Sequence, residues 1–276
     1  MNIKPDVVNL HFVDYCNYRC CYCFVKKENI MTSFLNIKLI VDNLKKYFSS
    51  IGVCGRINLV GGEIFMCNYL QEIIDYIWYK GIKVSIVTNG SLLTKDFIES
   101  NRNKIDSIGI SVDSLEYDTN IRIGRCSKDK TLSKEDLIEI CNSIKANHIR
   151  LKINHCLSKY NEMEDISILI KTILPDRFKI FQMSIVEGIN DKSKNMQLTQ
   201  EEFKDACKKY VDCNPIIEET SEMKSSYLII DSKGDFYIDR SDAPIGNVIN
   251  EDFIALMEKG ELDSASFAKR YIPLHN

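Results

Sequence analysis

The sequence predicts an α/β fold: a partial barrel of about six βα units, (β/α)6, with a C-terminal α+β extension covering its mouth. Three observations predict it. Short apolar runs alternate with segments of helical apolar spacing up to about residue 190. Polar or glycine-containing clusters follow these runs, and parallel strands would gather all of those ends on one rim. After residue 190 the alternation stops, and a capping box and a hairpin signal replace it.

Taken in order, residues 7–12 read as a strand ending just before the loop Cys16-Asn17-Tyr18-Arg19-Cys20-Cys21-Tyr22-Cys23. Residues 33–47 have apolar positions at helical spacing, and 57–60 form a strand stopped by Gly61-Gly62. A helix over 68–79 precedes a strand over 83–87 that ends in Thr88-Asn89-Gly90, a turn signal. A short helix at 94–100 and a strand at 107–112 follow. Ser133 caps a helix running to about Ala146, and a strand over 149–156 comes next. Residues 162–173 read as helix, and 179–185 as a strand ending at Glu187-Gly188. Right-handed crossovers put these helices outside the sheet. Further on, 199–211 opens with Thr199-Gln200-Glu201-Glu202, and strands at 227–231 and 235–238 flank Ser232-Lys233-Gly234. Residues 1–190 are therefore read as the barrel core and 191–276 as an extension that closes the pocket, not as an independent domain.

Composition narrows the class. With 276 residues, 45% hydrophobic and 27% charged, the chain has enough apolar sequence for a full core. A net charge of −3 gives no general field for a nucleic-acid polymer, though a small anion in a locally basic pocket fits. Residues 1–6 lack a basic, apolar leader, and no run approaches a membrane span, so a cytoplasmic, membrane-free protein is expected. Eleven cysteines without an export signal point to reduced thiols. Apart from the three singled out below, they read mostly as small buried hydrophobes.

Cys16, Cys20 and Cys23, spaced Cys-x3-Cys-x2-Cys, carry the strongest chemistry. Three thiolates can hold three irons of a cubane [4Fe–4S] cluster and leave the fourth open to a ligand. Structural zinc prefers four ligands in paired spacing, and no second pair exists here; a chance trio of core cysteines is the other competing reading. Tyr22, before the last cysteine, would shield a cluster. A second signal lies in the strands. Arg56 and Asn58 share a strand face, as do Lys152 with Asn154 and Arg177 with Lys179. Cations inside strand patterns are costly unless partnered, so an anion site is favoured over side chains that merely reach solvent at strand starts. His11 and His155 read as satisfied core histidines.

Cys-x3-Cys-x-aromatic-Cys after the first strand resembles the radical S-adenosylmethionine superfamily. Gly61-Gly62-Glu63 is similar to its Gly-Gly-Glu-Pro motif, with Ile64 in place of proline. The run Val8-Asn9-Leu10-His11-Phe12, Ser85–Ser91, Ile123-Gly124-Arg125, Lys152-Ile153-Asn154, Phe181-Gln182 with Glu187-Gly188, and Ser226–Asp231 resembles viperins in the same order, over roughly residues 7 to 260. The resemblance implies a prokaryotic-type member without the amphipathic membrane helix of animal viperins. It implies S-adenosyl-L-methionine as cofactor, bound by Tyr22, Gly61, Gly62, Glu63, Asn89, Ser91, Ser111 and Arg125. It further implies conversion of a ribonucleoside triphosphate to its 3′-deoxy-3′,4′-didehydro form, a terminator of viral RNA synthesis, through removal of the ribose 4′-hydrogen.

Triphosphate-binding positions then fall on Arg56, Lys152 and Lys179, with Asn58, Asn154, Arg177 and Arg240 as further substrate contacts. Arg240 is the single cation of a segment that is lysine-rich in animal viperins. Tyr227 matches a tyrosine that delivers the final hydrogen or electron, against a packing role for a tyrosine opening a hairpin strand. A flavodoxin or ferredoxin is the expected electron donor, and the chain is expected to be a monomer. Cytidine or uridine triphosphate is favoured over guanosine triphosphate. A peptide or a tRNA base as substrate, and a non-enzymatic iron–sulfur protein, are the alternatives.

Overall fold

The computed structural model describes residues 4–239 and 243–271. Its first half alternates strand and helix: β1 (Val7–Val13), α1 (Phe34–Ser50), β2 (Arg56–Gly61), α2 (Leu70–Tyr79), β3 (Lys83–Thr88), α3 (Lys95–Ser100), β4 (Ile105–Ser111). Two helices, α4 (Tyr117–Ile123) and α5 (Lys134–Ala146), lead to β5 (Arg150–Leu157), then α6 (Ser167–Ile173) and β6 (Arg177–Gln182). The remainder holds α7 (Gln200–Cys207), β7 (Ile216–Glu218), α8 (Thr220–Met223), β8 (Ile229–Ile230), β9 (Asp235–Tyr237), β10 (Gly246–Asn247), α9 (Phe253–Lys259) and α10 (Ser264–Tyr271).

The strands form one open sheet in the order β10-β9-β8-β1-β2-β3-β4-β5-β6-β7, a partial barrel. Pairing is parallel throughout except at β8–β9 and β9–β10. Strands after residue 190 thus extend both edges, β7 beside β6 and β8 beside β1. Among the described residues no helix is long and apolar enough to cross a membrane.

Each central strand alternates sharply. One face carries Val8, Leu10 and Phe12, Ile57 and Leu59, Val84 and Ile86, Ile108 and Ile110, Leu151 and Ile153, Phe178 and Ile180, all buried. This face packs against helices such as α1, whose Ile37, Ile40, Val41, Leu44 and Phe48 are buried opposite. The other face carries Asn9, Asn58, Ser85, Ser107, Lys152, Asn154, Arg177 and Lys179. Parallel strands covered on both sides are normally apolar on both. A polar inner face therefore marks an interior built for something other than packing.

Helix starts follow the sequence. Ser33, Thr94, Ser133 and Thr199 each accept a backbone N–H three residues on, and Glu202 reaches back to complete the box at Thr199. Such caps contribute about 1 kcal/mol each. The helix expected over 162–173 starts only at Ser167, because buried Asn161 ties the preceding loop. Its amide donates to the carbonyls of Asp113 (2.6 Å) and Cys156 (2.9 Å) and its oxygen accepts from Ser158 N–H (2.8 Å). The helix expected over 199–211 ends at Cys207 and continues as 3₁₀ turns over Lys208–Cys213. The strand expected over 227–231 is shorter, Ile229–Ile230, and leaves Tyr227 outside it. The cysteines depart in part from the buried expectation: Cys67, Cys141 and Cys207 are buried, but Cys21 and Cys54 are exposed.

Candidate active site

Cys16, Cys20 and Cys23 lie half-buried on the loop leaving β1, all as free thiols. The loop is laid against the end of α4: Arg19 N–H donates to Gly124 O and Cys21 N–H to Ile123 O, both at 2.9 Å. Gly124 has φ of 84°, and a Cβ there would meet Arg19 O at 2.3 Å. Only glycine allows so close an approach in the left-handed region. Cys16 Sγ accepts from Tyr18 N–H at 3.3 Å. Burial pushes the Cys20 thiol up to about 12 and raises Cys16 as well. Among the described residues no three His, Cys, Asp or Glu side chains converge on a single metal ion. A cubane does not require that, since each thiolate takes its own iron. Three reduced thiols in one fixed loop, facing no disulfide partner, fit such a cluster.

The Gly61-Gly62-Glu63 turn runs beside that loop. Gly62 N–H donates to Val13 O (2.7 Å) and Glu63 N–H to Tyr15 O (3.0 Å). A Cβ on Gly61 would sit 2.1 Å from Val13 O and one on Gly62 1.9 Å from Tyr15 O, so both glycines are required by the approach of the β1 exit. Glu63 is fully buried. Its carboxylate accepts from Thr88 Oγ1 (2.7 Å), Asn89 N–H (2.9 Å) and Phe65 N–H (3.3 Å), joining the ends of β2 and β3. Asn89 and Ser91 close on the cysteine loop through Asn17: Asn89 Nδ2 donates to Asn17 Oδ1 (2.8 Å), and Asn17 Nδ2 to Ser91 Oγ (2.9 Å).

Arg125 is buried at the end of α4. It pairs with Asp113 (2.9 Å) and donates to the Ser111 carbonyl (2.6 Å). Burial opposes its charge, yet Asp113 and the nearby Cys20, Tyr22 and Tyr18 hold its pKa above the ordinary value. Asp113 also accepts from Tyr22 OH (2.7 Å) and Cys156 N–H (2.8 Å). The Tyr22 ring is packed with Ile123, Met183 and Met196, so its side chain is anchored in a small core of its own. Asn17 and Asp113 do as much to fix the rim as any residue singled out from sequence. Asp113 is legible as a polar residue at a strand end; Asn17 has no signal beyond its place between cysteines.

Below the rim the cations meet. Lys152 pairs across the ladder with Arg177, and Asn154 with Ser111 on one side and Lys179 on the other. Lys152 Nζ reaches Ser85 Oγ (3.2 Å), itself 2.7 Å from Ser107 Oγ. Burial lowers the Lys152 pKa, and the charges of Arg56, Arg177 and Lys179 lower it further. Arg56 pairs with Asp106 (3.0 Å), and Asn58 donates to Asn9 Oδ1 (2.9 Å). Arg56 Nε, Asn58 Oδ1 and Arg177 Nε are buried without a hydrogen-bond partner among the described residues. His155, by contrast, is satisfied in the core by Val112 O (2.8 Å) and Tyr210 OH (3.3 Å).

Beside these cations stands Glu218 of β7, which sequence reasoning missed. It pairs with Lys179 and with Arg270 of α10 (2.9 Å), and it accepts from Tyr227 OH (2.6 Å). Neither Glu218 in a three-residue strand nor Arg270 in a C-terminal helix carries a sequence signal. Arg240 lies outside the described residues.

Residues 10–173 match the model of the Radical SAM superfamily. A crystal structure of Streptococcus suis SuiB bound to S-adenosylmethionine has the same fold, with a TM-score of 0.69 at 16% identity, covering 96% of this chain and 67% of that one. The chain belongs to the radical S-adenosylmethionine superfamily, enzymes that use a [4Fe–4S] cluster and S-adenosylmethionine. Two relatives carry the name S-adenosylmethionine-dependent nucleotide dehydratase. That of Psychrobacter lutiphocae is 34% identical over 251 residues, covering 85% of this chain and 82% of its own. That of Selenomonas ruminantium is 30% identical over 275 residues, covering 96% and 98%. Within the superfamily, the chain falls in this group, the viperins.

Proposed function

We propose that this enzyme dehydrates a ribonucleoside triphosphate, CTP or UTP ahead of GTP, to its 3′-deoxy-3′,4′-didehydro analogue, a chain terminator. One observation carries the proposal: Arg56, Lys152, Arg177 and Lys179 face one another inside the barrel, with unpartnered N–H groups on both arginines. A triphosphate brings about four negative charges and many acceptor oxygens, the complement of that interior. The names of the relatives support a nucleotide as the anion and dehydration as the reaction.

Cys16, Cys20 and Cys23 would hold the cluster, and Tyr22, Gly61, Gly62, Glu63, Asn89, Ser91, Ser111 and Arg125 would line the S-adenosylmethionine site. Together, cluster and S-adenosylmethionine supply a 5′-deoxyadenosyl radical when bound. Arg56 opens β2 and Gly61 closes it, about 16 Å apart at ~3.3 Å per residue, so phosphates held low leave the ribose facing the rim. There the ribose loses its 4′-hydrogen and its 3′-hydroxyl, net one water, and gains a C3′–C4′ double bond. Asn58, Asn154 and Arg240 add polar contacts, and Tyr227 returns an electron or hydrogen. Residues 191–276 close the pocket over residues 1–190. A flavodoxin or ferredoxin reduces the enzyme, which works as a cytoplasmic monomer.

The test is anaerobic incubation of reconstituted protein with S-adenosylmethionine, a reductant and each nucleotide separately, followed by mass spectrometry. Loss of one water from a nucleotide, matched by 5′-deoxyadenosine, is expected. Cleavage of S-adenosylmethionine with every nucleotide recovered intact would overturn the proposal.

A further inference from the structure

We propose that Glu218 is the positioning residue of the anion site: it fixes Lys179 for phosphate and ties the C-terminal helix α10 to the same point. This deepens the function proposed above and rests on it. Glu218 is 3% exposed, and both of its oxygens are committed. Oε1 takes Lys179 Nζ; Oε2 takes Tyr227 OH at 2.6 Å and Arg270 Nε at 2.9 Å. Arg270, 2% exposed, spends its other nitrogens on Ser226 O (2.9 Å), Ser226 Oγ (2.7 Å) and Glu222 O (3.0 Å). Its own carbonyl accepts from the Arg177 guanidinium, and next along the helix Tyr271 OH accepts from Asn9 Nδ2 at 3.2 Å. Through one carboxylate, β6, β7, the Ser226-Tyr227 segment and α10 share a single arrangement.

A carboxylate beside a phosphate site also repels phosphate, so two effects compete. Glu218 is already neutralised by two cations, which weakens the repulsion. Its removal, in contrast, leaves Lys179 buried beside the cations of Arg177, Arg270 and Lys152 and against the rings of Phe181 and Tyr271. Even with Glu218 present, burial brings Lys179 to about 8. Glu218 raises the Lys179 pKa against that burial, so without it Lys179 gives up its proton more readily, and the lost cation outweighs the lost repulsion.

Reconstituted wild type, Glu218→Gln and Glu218→Asp are compared by anaerobic equilibrium dialysis with CTP, UTP and GTP at pH 6.5 and 8. Hydrogen exchange is followed over residues 264–271 without nucleotide. Relative to wild type, which cancels the titration of the phosphate itself, Glu218→Gln should lose about tenfold more affinity at pH 8 than at pH 6.5, roughly one pKa unit in effect. Glu218→Asp should recover part of it. Exchange over 264–271 should quicken in Glu218→Gln and stay unchanged in β2 and β3. Equal or tighter binding by Glu218→Gln at pH 8, or unaltered exchange over 264–271, would overturn the inference. A wild type that binds none of the three nucleotides would overturn the functional reading and the phosphate half of this inference, while the exchange result still decides the α10 half.

Discussion

Lys152 shows how a single side chain separates function from stability. Its ammonium has Ser85 as hydrogen-bond partner and mostly cations around it, and burial with those cations lowers its pKa. An enclosed charge without a counter-ion destabilises the empty protein. Lys152→Ala should therefore weaken triphosphate binding about tenfold or more, while the thermal midpoint of nucleotide-free protein stays equal or rises; charge-assisted phosphate contacts are of that strength. Calorimetry and nucleotide titration read the two arms, and unchanged affinity would remove Lys152 from the site. Cys20→Ala is the contrasting case. It should abolish 5′-deoxyadenosine formation yet leave nucleotide affinity within about twofold, since the cysteines and the interior cations occupy different levels of the barrel.

Among the elements, the cysteine loop depends on its neighbours more than on itself. It has no regular structure, and its shape comes from β2's glycine turn on one side and the end of α4 on the other. Gly124→Ala places a methyl against Arg19 O and forces a non-glycine residue to positive φ, at a cost of about 1–3 kcal/mol. The loop, which lacks the regular backbone hydrogen bonding of a helix, is the part that yields. Iron retained after reconstitution should fall markedly, with little change in far-UV circular dichroism. Full iron content in Gly124→Ala would show that the loop is shaped by its own sequence.

For the whole molecule, the charged interior leaves a signature in the pH dependence of stability. Lys179 sits near 8 in the fold and near 10.5 when unfolded. Between those values the unfolded chain binds more protons, so this group makes stability rise with pH. Below about 8 both states are protonated and the destabilisation is fully present. Raised thiol and phenol pKa values act in the opposite sense above their unfolded values, as with Cys141 and Tyr227. The Lys179 contribution is therefore read as a difference. From pH 7.5 to 9.5, wild type should gain about 2 kcal/mol relative to Lys179→Met in denaturant unfolding. A constant difference across that range would mean that Lys179 keeps its proton throughout.

Much of this was legible in the chain itself. The βα alternation, the caps at Ser133 and Thr199, the cysteine spacing and the glycine turn are local patterns, and local backbone physics suffices to read them. Alternation alone put Arg56 with Asn58, Lys152 with Asn154 and Arg177 with Lys179 on shared strand faces, because a strand's period is two. Asn17 bridging to Asn89 and Ser91, Asp113 holding Arg125 and Tyr22, and Glu218 gathering Lys179, Tyr227 and Arg270 were not legible. Asn17 with Asn89 and Ser91, Asp113 with Tyr22, and Glu218 with Lys179 and Arg270 join residues 39 to 91 positions apart, and Glu218 lies in a strand too short to show a period. The sequence by itself determined which side chains face inward and which thiols stand together. Only the tertiary structure decided which inward charges find partners and which stay open to a ligand, because pairing is set by how the sheet curves and where the C-terminal helix comes to rest.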